Sequence, residues 1–227
     1  MAEIENTTDV AAMLKLYTYF RSSAAYRVRI ALNLKGLAFQ SIPVHLVSNG
    51  GEHLHDSYRA INPGAMVPTL QDDGATLTQS LAILEYLEER NPESPLLPAD
   101  ALGRARVRAL ALTVACDIHP INNLRVLKYL IDTLHVSEEA KTAWYEHWVQ
   151  EGLRMIEAHL ARDVRTGLFC HGDTPGMADC CLVPQVFNAQ RYNVDLSAYP
   201  TIERIHARCI ALPAFVAAHP AQQSDAK

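Results

Sequence analysis

Two adjacent serines stand where this chain could bind an anion. Ser22 and Ser23 follow a short apolar run typical of a strand and precede a helix-like run that ends at Lys35 and Gly36. A serine at a helix N-terminus accepts a hydrogen bond from a backbone N–H that has no partner within the helix. The remaining free N–H groups and the positive helix end favour an anion, and a thiolate is one such anion. The serine pair therefore predicts an anion site or a simple helix cap.

Arginines at two distant points of the chain are candidates for binding carboxylates. Arg21 immediately precedes the serine pair, and Arg191 ends a predicted helix in the second half of the chain. The planar guanidinium group matches a carboxylate with two parallel hydrogen bonds. For Arg191 the alternative is a solvated cation, which is favourable at any helix C-terminus.

A dense polar patch interrupts the helical pattern around Pro120. His119, Asn122, Asn123 and Arg125 lie too close together for a core helix unless they face solvent or a cleft. Pro120 supports the alternative, which is a helix break followed by a solvated cap.

The elements that must position these residues differ between the two halves of the chain. The first half shows an order of strand, helix, strand, strand, strand, helix, which suits one mixed sheet with helices packed on it. The predicted strands cover residues 14–19, 39–46, 67–71 and 75–77, and the helices 23–35 and 79–90. Three prolines between residues 91 and 98 then interrupt the pattern. Helical patterns follow at 102–117, 122–134, 137–161, 178–190, 202–211 and 213–219.

This organisation predicts two domains and a short lead. We expect a disordered lead at residues 1–13, an α/β domain at 14–90, a linker at 91–101 and an all-helical domain at 102–227. A chain of 227 residues is long enough for two small domains.

Composition and charge exclude several classes of protein. The formal net charge of −5 predicts no general attraction to nucleic acid or to an anionic membrane. Apolar runs are too short for a membrane span, and the polar N-terminus is unlike a secretory signal. Five cysteines without a repeated spacing indicate buried free thiols in a reducing cytoplasm. The ten histidines form no standard zinc pattern, so no metal is expected.

The serine pair and the residues after it carry a resemblance to a known family. The run from Ser22 through Ala24 and Tyr26 to Leu32 resembles the active-site segment of zeta-class glutathione transferases. That segment reads Ser-Ser-Cys before Trp-Arg-Val-Arg-Ile-Ala-Leu, and its first serine helps hold glutathione as the thiolate. Here Ala24 replaces the cysteine and Tyr26 the tryptophan. The resemblance covers residues 15 to about 220 and implies a thioredoxin-like N-terminal domain followed by an all-α domain.

The resemblance also implies how glutathione binds. Val67 stands before Pro68 where the family has a cis proline, and its backbone would pair with the cysteinyl backbone of glutathione. Gln79 and Ser80 begin a helix where the family binds the γ-glutamyl carboxylate, and His53 matches a glutamine near the glycyl end. Taken alone, Ser80 is only a helix cap and Val67 an ordinary strand entry. The implied cofactor site comprises Ser22, Ser23, His53, Val67, Gln79, Ser80, His119 and Asn123.

The same resemblance implies an activity. Arg21, Arg125 and Arg191 fall on substrate positions, and the sequence from His119 to Asn123 looks particularly like that of maleylpyruvate isomerases. The implied reaction is the glutathione-dependent cis–trans isomerisation of maleylacetoacetate or maleylpyruvate in aromatic degradation, carried out by a homodimer. The thiolate adds to the double bond, rotation follows, and elimination leaves the trans product. Ser22, Ser23 and Arg21 would be its catalytic residues.

Two other functions remain open at this stage. Conjugation of glutathione to small electrophiles would use Ser22 in the same way but would need no pair of arginines. A non-catalytic binding or stress module with the same fold is the second alternative, although the presence of Ser22 disfavours it. A disulfide oxidoreductase is not expected, because the N-terminal domain contains no cysteine.

Overall fold

A four-stranded mixed sheet forms the first half of the molecule. The computed structural model describes residues 13–226, so the predicted lead lies outside the described residues except for Met13. The strands are β1 (Leu14–Thr18), β2 (Phe39–Pro43), β3 (Thr69–Asp72) and β4 (Ala75–Thr78), and the helices of this half are α1 (Ser23–Leu34), α2 (Asp56–Arg59) and α3 (Ser80–Arg90). The sheet order is β2-β1-β3-β4, with β1 and β2 parallel and the other pairs antiparallel. The predicted mixed sheet is confirmed.

Strand pairing and turn geometry set the ends of the strands. β2 was expected to reach residue 46 but stops at Pro43, because β1 ends opposite it at Thr18. β3 and β4 meet at Asp73 and Gly74, whose φ angles of 43° and 79° give the left-handed turn that a two-residue hairpin requires.

Helices make up the second half. They are α4 (Ala101–Leu112), α5 (Leu124–Asp132), α6 (Glu138–Arg162), α7 (Met177–Arg191), α8 (Pro200–Ile210) and α9 (Pro213–Ala218). The helix predicted for residues 102–117 is α-helical only to Leu112 and continues as a π-helical turn, Thr113–Ile118. α5 begins later than predicted, since Asn123 caps it.

A buried ion pair fixes the proline-rich stretch between the halves. Lys35 Nζ donates to Glu88 Oε2 at 2.9 Å and to the carbonyls of Asn91 and Ser94 at 2.8 Å each. Glu88 accepts hydrogen bonds from two backbone N–H groups further along, at 2.8 and 3.1 Å. The charges are therefore paired and hydrogen-bonded, which is the condition for burying them.

α7 runs through the shared core and begins at a cap without a side chain. Asp179 accepts hydrogen bonds from the backbone N–H groups of Gly176 and Cys170, each at 2.9 Å. A Cβ at Gly176 would lie 2.7 Å from the Leu96 carbonyl oxygen, so glycine fits this position. These contacts fix the start of α7.

The expectation of buried thiols is wrong for one cysteine. Cys116, within the π-helical turn, is exposed, whereas the other four cysteines are buried. No helix within residues 13–226 combines the length and apolarity needed to cross a membrane.

Candidate active site

Ser22 is the N-cap of α1 and keeps a hydrogen free to donate. Its Oγ accepts a hydrogen bond from the Ala25 N–H at 3.2 Å, and its backbone is extended. A hydroxyl that accepts through one lone pair can still donate its own hydrogen, and Ser22 is only half-buried. The cap and the anion site are thus compatible functions of one side chain. Ser23 is buried and opens the helix.

The charges of Arg21 and Arg191 both act on the hydroxyl of Tyr19. Burial raises the pKa of Tyr19, while the guanidinium groups of Arg21 and Arg191 both lower it and the Asp225 carboxylate raises it. Arg21 lies over the Phe20 ring at 4.9 Å. Arg191 also donates to a side chain on α7 and is exposed. The two arginines, remote in sequence, therefore both exert positive charge on Tyr19, three residues before Ser22.

The loop before the serine pair is held from both sides. Arg29, fully buried, donates to Thr18 Oγ1 at 2.8 Å, to the Phe20 carbonyl at 3.1 Å and to the Ala218 carbonyl at 3.1 Å. Asp225 Oδ2 accepts from the Phe20 N–H at 3.0 Å. This loop therefore has a fixed position relative to the C-terminal segment.

The turn that contains Val67 is fixed by two side chains that the sequence analysis missed. The peptide bond from Val67 to the following proline is cis. Tyr58 Oη lies 2.7 Å from the Met66 carbonyl oxygen and 2.9 Å from Thr69 Oγ1, and Asn62 Nδ2 donates to the same two atoms at 2.8 and 3.0 Å. β3 begins at Thr69, so the Val67 backbone lies outside the ladder. Its polar groups can pair with a ligand.

Ser80 is not a helix cap, which corrects the simple interpretation of this residue. Gln79 is the N-cap of α3, with φ at 67°, and its side chain caps no N–H of the described residues. Ser80 is the first helical residue, is buried, and accepts a hydrogen bond at Oγ from Arg27 Nη1 at 3.1 Å. The first turn of α3 therefore presents free N–H groups and a hydroxyl together.

The polar patch around Pro120 contains both a cap and a cluster facing the first half. Asn123 Oδ1 accepts from the Arg125 N–H at 3.1 Å and so caps α5. Burial, together with the nearby positive charges of Arg27 and Arg125, lowers the pKa of His119 to about 3. The imidazole is therefore neutral at pH 7, and its Nε2 lies 3.5 Å from Asn123 Nδ2. The charge of Arg27 on α1 therefore acts on His119 across the two halves of the molecule.

His53 is affected by a positive charge from the helical half of the molecule. Burial lowers its pKa, and the positive charges of Lys128 on α5 and of Arg59 lower it further. Its Nδ1 is buried and has no hydrogen-bond partner in the part of the chain that the structure describes. Lys128 stands about one helical turn after Arg125, so the first turns of α5 are positively charged.

The structure relates four of the predicted residues in two groups. Arg21 and Arg191 both act on Tyr19, and Arg27 bonds to Ser80 while its charge acts on His119. The other predicted residues fall in neither group, and Tyr19, Arg27, Arg29, Tyr58 and Asn62 are supporting residues that were not predicted from the sequence. A usable signal for two of them was present, since Arg27 and Arg29 interrupt a helix that is otherwise almost entirely apolar.

Two family descriptions match most of the chain. The glutathione S-transferase N-terminal domain matches residues 16–95, and the glutathione S-transferase C-terminal domain matches residues 138–221. The chain belongs to the glutathione S-transferase family, and the predicted fold, an α/β thioredoxin-like domain followed by an all-α domain, is confirmed.

Individual relatives place it in the zeta class of that family. A probable maleylacetoacetate isomerase of Vibrio cholerae is 50% identical over 213 residues, which is 94% of this chain and 98% of the relative. The holo structure of a maleylpyruvate isomerase, described as a bacterial zeta-class glutathione S-transferase, is 51% identical with a TM-score of 0.90 and covers 94% of this chain and 100% of its own. A maleylacetoacetate isomerase of Methylobacterium extorquens AM1, solved with bound malonate and GSH, is 42% identical with a TM-score of 0.90, covering 94% and 99% of the two chains.

Proposed function

We propose that this protein is a glutathione-dependent isomerase that converts a maleyl keto acid, maleylacetoacetate or maleylpyruvate, to its fumaryl isomer in aromatic degradation. The observation that carries this proposal is the 50% identity over nearly the whole length of both chains with a relative named for that reaction. The Ser22 hydroxyl and the paired arginines beside it support it with the required chemistry.

The donors in the cleft fit a tripeptide that is anionic at both ends. We assign the γ-glutamyl carboxylate to Gln79 and Ser80, the cysteinyl backbone to Val67, and the glycyl end to His53, whose buried Nδ1 has no partner within residues 13–226. Ser23, His119 and Asn123 complete the lining. When bound, glutathione supplies the sulfur nucleophile for the substrate double bond.

Ser22 stabilises the thiolate form of that sulfur. Its free hydroxyl hydrogen donates to the thiolate, and the N-terminus of α1 adds a favourable field. Both effects stabilise the charged form and so lower the pKa of the bound thiol. Arg21, adjacent in sequence, adds positive charge at the same place.

Arg21 and Arg191 hold the substrate by its carboxylates. Both act electrostatically on the Tyr19 hydroxyl, which supports a shared role in binding a dicarboxylate. Arg125 provides a third cation from α5. Negative charge that develops on a substrate ketone oxygen in the transition state is stabilised by such fixed donors. A neutral electrophile would not use this pair of charges, which favours isomerisation over general conjugation.

The direct test is to assay both maleyl keto acids with and without glutathione. We expect loss of the cis isomer and gain of the trans isomer only when glutathione is present, with no net consumption of glutathione. A protein that conjugates a neutral electrophile but isomerises neither acid would overturn the proposal. Comparison of kcat/KM for the two acids assigns the substrate.

We further propose a cytoplasmic homodimer with a glutathione domain at 14–90, a linker at 91–101 and a substrate domain at 102–227. The exposed apolar side chains of Leu112, Leu124 and Tyr129 support a partner surface on the helical half, and the five free cysteines support a reducing compartment. Two-fold dimers are the commonest oligomers. Sedimentation at micromolar concentration is expected to give twice the chain mass of 25.2 kDa, and a monomer would contradict it.

A further inference from the structure

Arg27 is a buried cation that forms no ion pair with a carboxylate of the described residues. Its side chain is 1% exposed, and no ion pair joins it to an acidic residue anywhere in residues 13–226. Two of its three nitrogens, Nε and Nη2, have no hydrogen-bond partner among those residues. By contrast, Lys35, the buried lysine at the end of the same helix, has both an acidic partner and two carbonyls.

The groups around Arg27 do not neutralise it. Burial lowers the pKa of Arg27, and the thiols of Cys181 and Cys116 act in the opposite direction. Burial raises the pKa of Cys181 to about 11, so that thiol is uncharged at pH 7. His119, the remaining titratable neighbour, is neutral as well. An unpaired buried charge is costly, and an anion that binds nearby recovers part of that cost.

The one hydrogen bond that Arg27 makes points to where the anion would bind. Arg27 Nη1 donates to Ser80 Oγ, so this oxygen acts as an acceptor towards the protein. The hydroxyl hydrogen is then directed away from Arg27 and is available to a ligand. Ser80 opens an 11-residue helix whose first N–H groups receive no side-chain cap from the described residues. A carboxylate at this point would meet a hydroxyl, free N–H groups and a buried positive charge.

We propose that Arg27 is a positioning residue for glutathione, which orients the Ser80 hydroxyl and provides the buried positive charge for the α-carboxylate of the γ-glutamyl group. The inference rests on the proposed function, because glutathione is the assumed occupant of the site. It assigns to Arg27 the recognition of one carboxylate and no part in activating the thiol.

Arg29 provides a matched control for the loss of a buried guanidinium. It lies two residues further along α1, is also fully buried, and bonds to Thr18 and to backbone carbonyls of the loop and of α9. It makes no hydrogen bond to Ser80. Replacing it removes a buried arginine from the same helix without touching the predicted carboxylate site.

The experiment compares two peptides by titration calorimetry on the full chain. One is glutathione, and the other is 4-aminobutanoyl-cysteinylglycine, which lacks only the α-carboxylate. We expect the unsubstituted protein to prefer glutathione by about 10- to 100-fold, from the strength of hydrogen bonds to charged groups. Arg27→Met and Ser80→Ala should each remove most of this preference, and the double variant should remove little more. Arg29→Met should keep it.

Two further readouts separate positioning from a general structural role. The melting temperature of Arg27→Met without ligand should equal or exceed that of the unsubstituted protein, because an uncompensated buried charge is removed. Arg27→Lys should restore part of the preference, since it keeps the charge but not the planar group. If Arg27→Met fails to fold, Arg27→Gln is judged by the same criterion.

The inference is overturned if Arg27→Met keeps the full preference for glutathione, or if it weakens both peptides by the same factor. It is also overturned if the unsubstituted protein binds the two peptides equally. Failure of the proposed function looks different, because the unsubstituted protein would then bind neither peptide or would isomerise neither acid with glutathione present.

Discussion

Replacement of Ser22 by alanine tests the centre of the proposed mechanism. The structure predicts two separable losses. The first is the helix cap, a hydrogen bond of 3.2 Å from the Ala25 N–H, which stabilises the fold by about 1 kcal/mol. The second is the hydrogen bond from the hydroxyl to the bound thiolate. Its loss should raise the pKa of the bound thiol by about one to two units and the barrier by about 1.4–2.7 kcal/mol. We therefore expect turnover to fall by roughly ten- to a hundredfold.

Ser137 offers a matched control for the cap alone. It is the N-cap of α6, and its Oγ accepts from the Ala140 N–H at the same 3.2 Å. Ser137→Ala should lose a similar amount of stability in urea unfolding without any change in turnover. Ser22→Thr should keep both functions, because threonine has a hydroxyl and is a competent cap.

The assay measures the ultraviolet absorbance of the thiolate against pH at saturating glutathione, together with kcat for the maleyl acid. In Ser22→Ala the titration should move to higher pH, and kcat measured below that new pKa should fall with it. An unchanged thiol pKa with unchanged kcat would refute the role of Ser22. Equal losses of turnover in the two alanine variants would show that only the fold had been disturbed.

Three further predictions concern binding, pH and stability. Arg191→Met should lower kcat/KM for the diacid by about ten- to a hundredfold. The glutathione Kd of Arg191→Met should stay close to that of the unsubstituted protein. As a control, replacement of exposed Arg154 by methionine should change neither kcat/KM for the diacid nor the glutathione Kd. If Arg191→Met lost as much kcat/KM on a neutral electrophile as on the diacid, the carboxylate role would be refuted. Because the folded pKa of His119 is about 3, below its unfolded value of about 6.5, its contribution to stability is present above pH 6.5 and is lost as pH falls towards 3. His119→Asn should therefore reduce the stability lost between pH 7 and pH 5 by about 2 kcal/mol in urea unfolding, and a pH dependence equal to that of the unsubstituted protein would contradict this. Lys35→Met should cost about 3–5 kcal/mol of unfolding free energy by leaving a buried carboxylate unpaired, and a cost below about 1 kcal/mol would show that water reaches it.

Local sequence signals predicted the elements well where neighbouring residues decide the conformation. The serine pair marked the start of α1, because a helix cap depends on a few adjacent φ angles and hydrogen bonds. The same signals overestimated β2, whose length depends on a partner strand elsewhere in the sequence. They also missed the π-helical turn after Leu112, which no residue type announces.

The candidate site also contains features that local sequence predicted and features that it did not. Ser22 was identified from its position before α1, and Ser80 from its position at the start of α3. The resemblance then supplied roles for Val67 and for the arginines. No local pattern showed that Ser80 accepts a hydrogen bond from Arg27, or that Tyr58 and Asn62 fix the turn at Val67.

The sequence by itself determined the order of elements, the serine pair at a helix start and the family to which the chain belongs. Only the tertiary structure decided that the charges of Arg21 and Arg191 both act on the Tyr19 hydroxyl and that His119 is neutral. The reason is physical: a cap or a turn is stabilised within a few residues, whereas the charge state and neighbours of a side chain depend on which distant helices bury it. α1 illustrates the two cases. Its boundaries follow from its own residues, whereas the neighbours of its buried arginines come from α3, α7 and the C-terminal segment.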